Sequence, residues 1–111
     1  MNPKYEQQMK KGVLEVIVLK LLANGEKYGY QLITELKEKS SGMFTLKEGT
    51  LYPILYRLED DQLVNSRWSE PKGKEVSRKY YTITEKGKAE LRDLNELWLA
   101  FSNNVTSIME D

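Results

Sequence analysis

Apolar positions along this 111-residue chain fall into four helical stretches and two short alternating ones. The first stretch, residues 5–23, contains Val13, Leu14, Val16, Ile17, Val18, Leu19, Leu21 and Leu22. So little polar stripe remains that this predicts a helix buried on most sides, ended by Asn24-Gly25 at a left-handed cap. The second runs from about Tyr28 to Lys39, with Tyr30, Ile33 and Leu36 as its inward face, Leu32 beside them, and Ser40-Ser41-Gly42 as its stop. The third opens on Thr45-Leu46-Lys47-Glu48, a capping-box pattern. Leu51, Ile54, Leu55 and Leu58 follow at i, i+3, i+4 and i+7, a core stripe. "LVNSRW" (63–68) and "RKYYTIT" (78–84) read as strands, and the polar "SEPKGKEVS" between them as a long hairpin tip. The last stretch starts near Thr84 or Glu85 and runs to about Met109. Leu91, Leu94, Trp98, Phe101, Val105 and Ile108 step by three and four along it, an a/d heptad seam.

Three helices, two strands and a helix is the order of a winged helix-turn-helix. The expected fold is mainly α (α+β): residues 1–84 as a winged helix-turn-helix with a two-stranded wing, and residues 85–111 as a long C-terminal dimerisation helix. There is no repeat, low-complexity tract or linker. The function of such a fold is docking on nucleic acid, with one helix in the major groove. With the core stripe of the third helix turned inward, Gly49, Tyr52, Pro53 and Tyr56 face outward, flanked by Lys47 and Arg57. Hydroxyl tips and cations suit phosphates and base edges. Pro53 removes one helical hydrogen bond and presses on the Gly49 carbonyl. That is tolerated if the helix bends there or starts later than Thr45. The plainer alternative packs Tyr52 and Tyr56 against the first helix or a second copy.

Charge sharpens this reading. The total is zero, but it is unevenly spread. Residues 67–79 hold Arg67, Lys72, Lys74, Arg78 and Lys79 against Glu70 and Glu75, whereas residues 85–111 are net acidic. A local basic patch can bind phosphate at zero total charge. On a wing, Lys72, Lys74, Arg78 and Lys79 can straddle a phosphate backbone.

Composition removes other classes. With 40% hydrophobic and 31% charged residues the chain is globular rather than disordered. Neither cysteine nor histidine occurs. Disulfides, thiolate sites and the usual metal ligand and acid–base group are therefore missing, and no glycine-rich phosphate loop is present. No enzyme, metal or cofactor is expected. "VLEVIVLKLLA" is too short to span a bilayer, and the polar N-terminus carries no signal-peptide core, so a cytoplasmic location is expected.

Several motifs resemble the PadR family of bacterial transcription regulators, over about residues 12 to 98. They are Tyr28-Gly29-Tyr30, Gly49-Thr50-Leu51-Tyr52-Pro53, Arg57-Leu58-Glu59, and Arg78-Lys79-Tyr80-Tyr81 with Thr82, Thr84 and Gly87. The resemblance implies a homodimeric repressor, joined through its last helix, whose third helix and wing dock on a palindromic operator of double-stranded DNA. It implies DNA contacts from Lys47, Gly49, Thr50, Tyr52, Pro53, Tyr56 and Arg57, and from Lys72, Lys74, Arg78 and Lys79. The dimer seam is Leu91, Leu94, Trp98, Phe101, Val105 and Ile108. Some family members take planar aromatic compounds between subunits on a tryptophan of the last helix, and Trp98 stands where that tryptophan would be. Trp98 as a seam core residue and Trp98 as a wall for a small aromatic effector both remain open. Two departures stand out. The wing reads Lys74-Glu75-Val76-Ser77 where Gly-Arg-Pro is frequent, and Gln62 precedes Leu63 where glycine is frequent. The competing reading is a winged-helix module that docks another protein and never meets DNA, favoured by the zero charge and by Glu59, Asp60 and Asp61.

Overall fold

A computed structural model describes residues 2–111. The order is α1 (Pro3–Lys11), α2 (Leu14–Ala23), β1 (Lys27–Tyr28), α3 (Gly29–Lys39), α4 (Glu48–Asp60), β2 (Val64–Trp68), β3 (Lys79–Ile83) and α5 (Glu85–Met109). The strands form one antiparallel sheet in the order β1-β3-β2.

The expected first helix is two helices. α1 ends at Gly12, and Val13 begins the next turn. The apolar content belongs to α2, whose Val18, Leu19 and Leu22 are fully enclosed, while α1 has no buried residue. Asn24 caps α2 in the right-handed region and Gly25 follows at φ +145°, not at the φ of about +57° of the left-handed cap expected there.

α3 turns inward Leu36, Leu32 and, partly, Ile33, as expected, but not Tyr30. Leu32 and Leu36 are buried, as is Gly29, and Tyr30 points out with 67% of its surface exposed. Gly29 is closed in by α4: a Cβ there would lie 2.5 Å from the Tyr52 hydroxyl oxygen. Just ahead of α3, the Tyr28 N–H donates to Gln31 Oε1 at 3.0 Å.

α4 begins at Glu48 rather than at Thr45, and no capping box forms. Lys47 is its N-cap without a side-chain bond, and the Thr45 hydroxyl donates instead to the Gly42 carbonyl at 2.8 Å. The later start leaves Pro53 little more than one turn inside the helix. It deletes the bond to the Gly49 carbonyl on the exposed side, where water can replace it. Leu51, Ile54, Leu55 and Leu58 are 3% exposed or less, the predicted stripe.

The turn after α4 uses Gln62 at φ +64°, a conformation that glycine adopts without strain. Thr84 then fastens three elements together. Its hydroxyl donates to the Gln62 carbonyl at 2.7 Å and accepts from the Gly87 N–H at 2.9 Å, which caps α5. Gly87 is buried against the Leu63 carbonyl, with no room for a side chain. The first turns of α5 therefore lie on the body of the domain, with Leu91 and Leu94 packed on its core. Beyond Leu94 the helix runs free. The longest dimension is 61 Å against 32 and 21 Å for the other two, and the radius of gyration, 15.8 Å, exceeds the roughly 13 Å of a compact chain this long.

Candidate nucleic-acid interface

Burying one stripe of α4 fixes what the other shows. Gly49, Thr50, Pro53, Tyr56 and Arg57 are exposed, together with Lys47 at the N-terminus. Tyr52 departs from the expected outward position. It is half-buried, seated over Gly29 at the start of α3. Burial raises its phenol above the usual tyrosine range, with the charges of Glu48 and Tyr56 adding to the effect. Its ring lies 6.1 Å from that of Tyr56, so the buried tyrosine supports the exposed one.

The wing supplies the second part. Lys72 and Lys74 are exposed at its tip, where Gly73 turns the chain at φ +61°. Arg78 is anchored rather than free: its guanidinium lies 4.6 Å over the Tyr28 ring and donates to the Tyr28 hydroxyl at 3.1 Å. Lys79 stands between wing and helix. Its ammonium is 5.7 Å from the Tyr56 ring centre, 5.9 Å from that of Trp68 and 5.6 Å from that of Tyr81, within cation–π range of all three. Lys79 thus makes α4 and the wing one continuous surface.

Not every cation is equally available. Arg57 donates from Nε to Glu15 of α2 at 2.9 Å, a partner 42 residues away that no local pattern reveals. Arg67 pairs with Glu26, and the hydrogen bond from Arg67 is the main reason the Glu26 carboxyl titrates below its ordinary value. Lys47, Lys72, Lys74 and Lys79 have no ion-pair partner among the described residues. Of the acidic residues at the end of α4, Glu59 accepts from the Ser66 hydroxyl and ties α4 to β2.

Sequence reasoning gave Trp68 no role, yet it is 66% exposed at the edge of this surface. Its signal lay in the hairpin register, which sets it opposite Lys79.

A second face stands apart from the first. On α5, Leu91 and Leu94 lean on the core, but Trp98, Phe101, Val105 and Ile108 are 43%, 60%, 44% and 73% exposed. Leu97, Leu99 and Met109 are bare beside them. Trp98 and Phe101 stack at 6.3 Å. No helix among the described residues is long and apolar enough to cross a membrane.

A helix pair whose second member shows a polar and aromatic face, followed by a basic hairpin, defines a winged helix-turn-helix of the DNA-binding kind. The model of the transcriptional regulator PadR-like family matches residues 18–93. An uncharacterized protein of Lysinibacillus sphaericus is 33% identical over 102 residues, covering 90% of this chain and 91% of that protein. The negative transcriptional regulator PadR of Bacillus subtilis is 31% identical over 99 residues, 89% of this chain and 52% of that protein, so the chain spans about half the length of that relative. The crystal structure of a PadR family transcriptional regulator from Eggerthella lenta superposes with a TM-score of 0.85 at 30% identity, covering 97% of this chain and 91% of that one. The chain belongs to the PadR-like family of transcriptional regulators. It is accordingly a DNA-binding regulator and not an enzyme.

Proposed function

We propose that two copies of this chain pair through α5 and repress transcription by seating both α4 helices in successive major grooves of a palindromic operator. In this reading residues 1–84 are the DNA-reading unit and residues 85–111 the dimerisation helix. The seam is Leu91, Leu94, Trp98, Phe101, Val105 and Ile108, centred on the bare stretch from Trp98 onward. Thr50, Tyr56, Gly49 and Pro53 meet base edges and allow close approach, with Tyr52 propping Tyr56 from below. Lys47, Arg57, Lys72, Lys74, Arg78 and Lys79 hold the phosphates. A two-fold pair would place the half-sites about one helical turn, roughly 34 Å, apart.

The observation that carries this reading is the division of α4. Four apolar residues are sunk to 3% exposure or less while Gly49, Pro53 and Tyr56 stand in the open, and unpaired lysines lie at both ends of that face. Selection of bound duplexes from a random pool by the whole chain tests it. The expected outcome is a palindromic consensus whose binding weakens steeply with salt, with Lys72→Ala and Lys74→Ala each lowering the salt slope by about one. Recovery of no duplex would leave the protein-docking alternative in its place.

We further propose that a small planar aromatic compound enters between the two copies at Trp98. The stacked, half-open Trp98–Phe101 pair supports this. Quenching of tryptophan emission by such a compound, with release of the selected duplex, is the expected result; quenching without release would contradict it as a signal.

A further inference from the structure

We propose that Trp68, at the base of the wing, is a further DNA-contacting residue, its indole lying along the sugar–phosphate backbone of one strand beside Lys79. This rests on the reading of α4 and the wing as the DNA-binding surface, and extends it to a side chain outside the motifs that define that surface.

An exposed tryptophan alone carries no such meaning, because large apolar residues often stand singly on protein surfaces. Three further observations do. The first is position. Trp68 pairs across the hairpin with Lys79, and Lys79 in turn faces the Tyr56 ring of α4. The exposed row of α4 therefore continues through Tyr56 and Lys79 to Trp68 without a break.

The second is rigidity. Just beyond the Trp68–Lys79 pair, the Ser69 N–H donates to the Arg78 carbonyl at 2.8 Å and the Arg78 N–H to the Ser69 hydroxyl at 2.9 Å. The indole thus sits on a closed ladder rather than on the hairpin tip, so less ordering entropy opposes a contact there.

The third is charge. Lys79 has no carboxylate partner among the described residues, and neither have Lys72 and Lys74 further along the wing. An aromatic plane with the Lys79 ammonium 5.9 Å from its centre matches a polyanion whose sugars are apolar and whose phosphates accept hydrogen bonds. The indole face suits the deoxyribose and its N–H suits a phosphate oxygen. Such a contact carries no sequence information. It strengthens binding to selected and unselected duplexes alike, and without a charge it leaves the salt slope unchanged.

The experiment uses the full chain with 5-fluorotryptophan at both of its tryptophans, Trp68 and Trp98. The fluorine resonances are assigned by Trp68→Phe. The probes are a duplex selected by the protein and one of the same length with scrambled sequence. The expected result is a shift of the Trp68 resonance by either duplex. Trp68→Ala is expected to weaken both complexes by about tenfold at constant salt slope, and Trp68→Phe by less. An unmoved Trp68 resonance while the selected duplex binds overturns this inference and leaves the DNA-binding reading intact. So does an unchanged affinity of Trp68→Ala. A Trp68 shift that follows protein concentration without DNA also overturns it, because a second copy then covers the site. Failure to select or bind any duplex overturns both readings. The resonance needs no replacement of Trp68 beyond the assignment, so a misfolded alanine variant would not blunt the test.

Discussion

The two halves of α5 are built from the same alphabet and meet opposite fates. Its first turns are capped by Thr84, pressed on the Leu63 carbonyl at Gly87, and covered at Leu91 and Leu94 by the domain core. From Trp98 to Met109 the apolar row continues, and every member is at least 43% exposed. Elsewhere apolar residues of this spacing are enclosed: Leu51, Leu55 and Leu58 on α4 are at most 1% exposed. The hydrophobic effect acts on both rows, at about 25 cal/mol per Å² buried. The contrast is therefore in what covers them. The α4 row is covered by this chain, and the α5 row beyond Leu94 is not.

Substitutions in the two rows separate these cases. The largest effect is expected at the enclosed one. Leu55→Ala should lower unfolding free energy by about 3 kcal/mol, by the same amount at every protein concentration, in denaturant titrations. Phe101→Glu should leave the fold of the domain in place and weaken self-association by at least tenfold, about 1.4 kcal/mol. It should also abolish the rise of the melting temperature with protein concentration that a dimer shows. Equal damage to the fold by both substitutions would erase the distinction.

The cations repeat the contrast on a smaller scale. Lys47, Lys72 and Lys74 have no ion-pair partner among the described residues, whereas Arg57 is held by Glu15, with the arginine 59% and the glutamate 45% exposed. A pair that open is worth under about 1 kcal/mol. Glu15→Gln should release Arg57 to phosphate and raise affinity for a selected duplex about two- to fivefold, measured by fluorescence anisotropy; a drop in affinity would mean that the pair orients Arg57 for binding.

The smallest effect concerns Tyr81, fully buried beneath α4 with a hydroxyl that finds no hydrogen-bond partner among the described residues. Burial, then the nearby charges of Tyr56, Glu59 and Tyr52, push its phenol from 10.0 up to about 12. The unfolded chain therefore releases this proton first. The stability this group contributes is complete below pH 10 and drains away as pH rises toward 12. Tyr81→Phe should remove that alkaline loss and change stability near neutrality by less than about 1 kcal/mol, since no bond is broken. Absorbance titration at 295 nm together with thermal melts checks both.

What the sequence disclosed follows from which signals are local. The start of α5 at Thr84, the α4 stripe and both wing strands are written in period and capping chemistry, and each stands in the structure near where those patterns place it. Tyr30 stands in solvent although its three-residue spacing to Ile33 and Leu36 mimics a core row. The residue that closes that side of the helix is Gly29, which carries no hydrophobic signal and is buried by Tyr52 arriving from α4. β1 has two residues, too few for an alternation to show. The capping-box pattern at Thr45 and Glu48 was overridden when Thr45 found the Gly42 carbonyl. At the candidate interface, the outward row of α4 was legible as the complement of its core stripe. The half-burial of Tyr52, the capture of Arg57 by Glu15 and the three rings around Lys79 arise only when distant segments meet.

Sedimentation equilibrium of the whole chain at micromolar concentration bears most directly on the claim that the bare half of α5 is covered by a second copy. The account predicts a species of twice the 13.0 kDa chain mass, reduced to single chains by Phe101→Glu. Single chains alone in the unaltered protein would contradict it.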